Sequence, residues 1–138
     1  MQKFILVFCL FCLATACSEE PVCNDSEFYP DKILKQKVCV SAASGDTLFI
    51  ENYHPNGTIR TTGSFESRVR DGEWQSFYEN GNPWSEHHYV NGKKDGLYKV
   101  WYENGQLRIL GQYQAGKEIG NWQFFDENGN LSKEQLMN

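Results

Sequence analysis

The sequence predicts an all-β fold: an antiparallel meander of stacked β-hairpins in one open sheet, repeating every 24 residues behind a small N-terminal cap. Three observations predict it. Asn-Gly pairs fall at Asn56-Gly57, Asn80-Gly81, Asn104-Gly105 and Asn128-Gly129, 24 residues apart each time. Other columns keep the same interval: Gly72, Gly96 and Gly120; Trp74, Tyr98 and Trp122; Phe65, Tyr89 and Tyr113; Phe77, Trp101 and Phe125. Several columns in phase mark a repeat array. Around each Asn-Gly, alternate residues are apolar. That is the period of a half-buried strand, and Asn-Gly is the strongest short-range signal of a tight hairpin turn.

Taken in order, residues 1–16 stand apart. Lys3, an apolar run from Phe4 to Leu13, and the small residues Ala14-Thr15-Ala16 describe a secretory signal peptide, too short to span a bilayer as a helix. The motif Leu13-Ala14-Thr15-Ala16-Cys17 resembles the lipobox of bacterial lipoproteins. The resemblance implies acylation of Cys17 as the new N-terminus, and Ser18 implies sorting to the outer membrane. Ordinary signal cleavage at the same bond is the alternative. Residues 17–26 are polar and acidic, which suits a tether. Cys23 and Cys39 are then the two remaining exported thiols, and a disulfide between them closes a loop worth about 3 kcal/mol. Free thiols, or one thiol pairing outside the molecule, are the other outcomes. Residues 27–46 are expected to cap the first hairpin of the repeat domain, 47–138. Within that cap the stretch after Pro30 is open between a short helix and irregular cover.

Pairing about each Asn-Gly assigns two faces. One is apolar and holds Trp74, Tyr98, Val100, Trp122 and Phe124, with Ile50 opposite Gly63 and Tyr98 opposite Gly111; each large side chain is expected to cover the bare glycine facing it. The other is polar except for one row of rings. On that face Phe77 is expected opposite Trp84, Trp101 opposite Arg108, Tyr53 opposite Arg60 and Phe125 opposite Ser132. Tyr53, Phe77, Trp84, Trp101, Arg108 and Phe125 are therefore the candidate binding residues, since rigid rings bordered by arginine and polar groups are the usual anchors of a docking surface. Burial of the row by sheet curvature or the cap, or plain cation–π pairing, accounts for the same residues without a ligand.

The unit Gly72-Glu73-Trp74-Gln75-Ser76-Phe77-Tyr78-Glu79-Asn80-Gly81, followed by Tyr89-Val90-Asn91-Gly92-Lys93 and Gly96, resembles the bacterial variant of the MORN repeat. Exported proteins carrying this variant include YwqK-like antitoxins. The resemblance spans about residues 47–131 and implies single-layer hairpin arrays that bind or scaffold, with no shared catalytic residues. It departs from the standard MORN unit, which is about one residue shorter.

Chemistry-bearing motifs are scarce. His87 and His88 are adjacent, so they point to opposite faces and cannot jointly hold one metal. No nucleophile motif, His-Glu-x-x-His or phosphate loop is present. The expectation is a non-enzyme with no cofactor and no metal. Without Lys3 the chain carries 12 basic and 18 acidic residues, a net of −6, which opposes binding to nucleic acid or anionic headgroups. The sequence thus points to an exported, lipid-anchored envelope module that binds another envelope protein, a toxin or a glycan. Its alternative is an antitoxin or immunity protein neutralising one toxin.

Overall fold

The computed structural model describes residues 20–138. The signal segment, Cys17 and the start of the tether lie outside the described residues. Ten strands make one antiparallel sheet in strict chain order: β1 (Val22–Phe28), β2 (Leu34–Val40), β3 (Thr47–Tyr53), β4 (Ile59–Glu66), β5 (Val69–Phe77), β6 (Pro83–Val90), β7 (Lys93–Trp101), β8 (Leu107–Gln114), β9 (Lys117–Phe125) and β10 (Leu131–Met137). The expected open all-β meander is the observed fold.

Two kinds of turn alternate, one along each long edge of the sheet. At one edge Glu66 pairs with Val69, Val90 with Lys93 and Gln114 with Lys117, across two residues each. The central residues Ser67-Arg68, Asn91-Gly92 and Ala115-Gly116 all have positive φ, the signature of a type I′ turn. The Asn-Gly turns at the other edge are not of this kind. Tyr78 N–H donates to the Asn82 carbonyl at 2.9 Å and Gly81 N–H to the Tyr78 carbonyl at 2.9 Å, so the loop is longer than two residues. Only Gly81 is left-handed there, at φ 86°; Asn80 instead accepts the Asn82 N–H on Oδ1 at 2.9 Å. The loops around Gly57, Gly105 and Gly129 are built alike.

This loop corrects the expected pairing beside every Asn-Gly. Tyr53 faces Ile59 rather than Arg60, Phe77 faces Pro83 rather than Trp84, Trp101 faces Leu107 rather than Arg108, and Phe125 faces Leu131 rather than Ser132. A bulge one residue further on cancels the offset, so Ser76 meets Ser85, Trp74 meets His87 and Tyr98 meets Gly111 as expected.

Residues 27–46 are a second correction. They do not lie over the sheet; with part of the presumed tether they are its first hairpin, β1–β2. The stretch after Pro30 is a turn of the same make, with Tyr29 N–H bonded to the Ile33 carbonyl at 2.8 Å and Lys32, at φ 67°, in the glycine's place. Cys23 faces Cys39 across this hairpin, and the two are disulfide-bonded.

The core is a single layer of rings on one face. Trp74, Tyr89, Val100 and Trp122 are buried although no second sheet covers them among the described residues. They shield one another. Phe65 meets Trp74 edge-on at 5.2 Å, Trp74 meets Tyr89 at 6.1 Å, His87 lies against Tyr98 at 4.9 Å, and Trp122 closes on Tyr98 at 5.4 Å and Tyr113 at 5.3 Å. Such pairs add about 0.5–1.5 kcal/mol each beyond their buried area. Gly63 and Gly111 are indeed covered, but by the indoles of Trp74 and Trp122 from the following strand, not by Ile50 and Tyr98.

Candidate functional site

Tyr53, Phe77, Trp101 and Phe125 each end a strand, β3, β5, β7 and β9. Alternation turns Phe77, Trp101 and Phe125 away from the face that buries Trp74, Val100 and Trp122. All four rings are half-buried, one per repeat, roughly 9.5 Å apart because two strand spacings separate them. Their backbone is pinned from the preceding repeat. Tyr29 Oη donates to the Tyr53 carbonyl at 3.0 Å, Tyr78 Oη to Trp101 at 2.9 Å and Tyr102 Oη to Phe125 at 2.9 Å, while His54 Nε2 sits 2.9 Å from the Phe77 carbonyl. The candidate rings thus stand on a hydrogen-bond ladder that fixes their spacing.

The rest of that face is a polar network. Lys99 Nζ binds Glu86 Oε1 at 2.9 Å, Gln123 Nε2 donates to Glu134 Oε1 at 2.8 Å, and Tyr53 Oη donates to Glu51 Oε2 at 2.7 Å. Burial, helped by Glu51, pushes the Tyr53 phenol up to about 12. It stays a neutral donor at any physiological pH.

Trp84 and Arg108 are not part of this row as paired. The bulge sets them beside the turn tyrosines instead: Trp84 leans on Tyr78 at 6.4 Å, and the Arg108 guanidinium lies 5.4 Å from the centre of the Tyr102 ring. Trp84 is the exposed member, at 48%.

Several structural roles escaped the sequence. Asn56 and Asn104 do more than turn the chain: their Nδ2 atoms donate to the carbonyls of Glu79 and Glu127, at 2.7 and 2.9 Å, one repeat ahead. At the opposite edge Asp71 and Asp95 accept the N–H groups of Asn91 and Ala115, at 3.1 and 3.0 Å. Arg70 lies 4.1 Å over Trp74, and Lys94 lies 5.0 and 4.8 Å over Tyr98 and Tyr113. Arg70 and Lys94 are themselves 24 residues apart, the signal that could have found them.

Single-layer hairpins with one ring set packed and a second set presented define a repeat protein with a surface rather than a cleft for function. Residues 70–91, 94–115 and 118–138 each match the MORN repeat variant. The chain therefore carries three MORN-variant repeats, on β5–β6, β7–β8 and β9–β10, and this places it among proteins whose repeats bind or scaffold. The hairpins β1–β2 and β3–β4 repeat the geometry outside the matched residues. No curated protein and no solved structure matches the chain.

Proposed function

We propose that the protein is a non-catalytic binding or scaffolding module of the bacterial envelope, held at a membrane through lipid on Cys17, with a macromolecular partner docking across the polar face. One observation carries this reading: Tyr53, Phe77, Trp101 and Phe125 form an evenly spaced, half-buried row whose backbone is fixed by the turn ladder. Pre-positioned rings lose little entropy on binding, which is what an anchor row needs. The lipobox-like motif at Cys17 supports the anchoring.

The test is recovery of a partner from envelope extract by residues 18–138. The double variant Phe77→Ala, Trp101→Ala should lower that recovery by about tenfold or more, as loss of buried aromatic anchors does, with the thermal transition retained. Recovery equal to wild type defeats the docking face. The resemblance to YwqK-like antitoxins supports a second reading, immunity against one toxin. That reading predicts rescue of cells from the product of an adjacent gene, and no envelope defect on deletion.

A further inference from the structure

The ring ladder stops short of one end of the sheet, and the stop leaves a hole. Ile50 stands opposite Val38 as Trp74 stands opposite Gly63 and Tyr98 opposite His87. Two residues on from Val38, Val40 occupies the place held by Phe65 and Tyr89 in the later repeats. Two ring positions are thus filled by aliphatic side chains. Asp46, in turn, stands four residues before Ile50, where Arg70 and Lys94 stand before Trp74 and Tyr98 and lie over those rings. The result is a solvent-open cleft of about 560 Å³ between β2, β3 and β4, floored by Val38, Ile50 and Phe65 and rimmed by Gln36, Asp46 and Arg68. The volume lies within the range of functional pockets.

We propose that this cleft receives one tyrosine or tryptophan side chain of a polypeptide partner, which continues the ladder where the chain's own rings are missing. The inference rests on the reading of the protein as a polypeptide-binding module and adds a specific anchor point on the core face, away from the Phe77–Trp101 row. Phe65 presents to the cleft the side not taken by its edge-on contact with Trp74. A ring seated there meets Phe65 as successive ladder rings meet each other. Asp46 offers a carboxylate where Glu118 accepts Tyr113 Oη at 3.1 Å in the last repeat, so a phenol or indole donor finds an acceptor at the matching place. A free amino acid fits less well. Asp46 and Arg68 are bonded to each other at 2.6 Å, which leaves neither rim charge for an ammonium or carboxylate terminus. The cleft therefore suits a ring carried within a chain.

The test needs no identified partner. Methyl resonances of Val38 and Ile50 are followed by NMR in the full exported chain during titration with N-acetyltyrosinamide, N-acetyltryptophanamide and, as control, N-acetylleucinamide. The two aromatic probes should produce saturable ring-current shifts at both residues with a Kd on the order of millimolar, and the leucine probe should not. Ile50→Trp fills the cleft from within and should abolish the response. Should Ile50→Trp fail to fold, Phe65→Leu removes the stacking surface and should weaken binding at least about fivefold. No saturable shift in the wild type, an equal response to the leucine probe, or undiminished binding in a folded Ile50→Trp protein overturns the proposal. Because these readouts ignore Phe77 and Trp101, they can fail while partner capture through that row stands, and the reverse.

Discussion

Gly63 and Gly111 make no left-handed turn. They are bare because an indole lies across each, so that a β-carbon at either would collide with the six-membered ring of Trp74 or Trp122. The third member of that column, His87, meets the smaller ring of Tyr98 instead. Column partners have therefore changed together: tryptophan over glycine twice, tyrosine beside histidine once. Gly111→Ala should cost about 1–3 kcal/mol through overpacking, read as a lowered denaturation midpoint, whereas Gly105→Ala should cost through its left-handed φ of 87° while touching no ring. His87 adds a pH dependence. Burial first, then the nearby charges of Lys94 and Arg70, lower its pKa from 6.5 to about 4, against a weaker opposing pull from Glu86. The folded imidazole is the poorer proton acceptor, so the unfolded chain binds more protons between those values. Stability should fall as pH drops from about 6.5 to about 4, and His87→Gln should flatten that part of the curve. Thermal melts across this window decide it.

At the scale of the element, each repeat is tied to the next by side-chain bonds at both edges as well as by the sheet. Tyr102→Phe deletes one donor to the Phe125 carbonyl and should cost about 1 kcal/mol. Asn104→Ala loses both the bond to Glu127 and the acceptor for Gln106 N–H at 2.9 Å, so it should cost more than Tyr102→Phe in the same denaturant titration. The last turn is made differently. Asp126 takes the place of Tyr78 and Tyr102, and its carboxylate accepts from its own loop, at 3.0 Å from Asn128 N and 2.8 Å from Asn130 N. How far the sequence disclosed these elements follows from the same chemistry. Asn-Gly located the hairpins, and period-two alternation placed Trp74 inward and Trp101 outward. It did not disclose the loop type, because one asparagine can either turn left-handed itself or bond forward through Oδ1, and here it does the latter. That choice moved Trp84 and Arg108 off Phe77 and Trp101. The turn at Ser67-Arg68 carries neither asparagine nor glycine, and Lys32 replaces glycine in the first hairpin, so neither stood out. The cleft beside Ile50 was legible only as an atypical first repeat; that an aliphatic residue in a ring column leaves usable space needed the packed neighbours to show it.

Across the whole molecule, every strand pairs only with its neighbours in sequence. Stability in such an array is a sum of hairpin terms and nearest-neighbour couplings, with no long-range closure to enforce all-or-none unfolding. The couplings are uneven. Between β4 and β6 the ladder runs through Trp74, which touches Phe65 on one side and Tyr89 on the other and takes the Arg70 guanidinium on its face. Upstream of Phe65 the ladder has no further ring, and the first hairpin relies on its pairing with β3 and on the Cys23–Cys39 bridge. Trp74 is therefore the one side chain whose loss should cut the array in two. With Trp74→Ala, calorimetry should resolve a separate low-temperature transition for the hairpins before β5. Hydrogen exchange should show β1–β4 amides opening well ahead of those in β7–β9, and reduction of the disulfide should shift only the first of these transitions. A single transition, lowered as one, would mean that backbone pairing between β4 and β5 alone transmits cooperativity, and that the rings contribute burial rather than coupling.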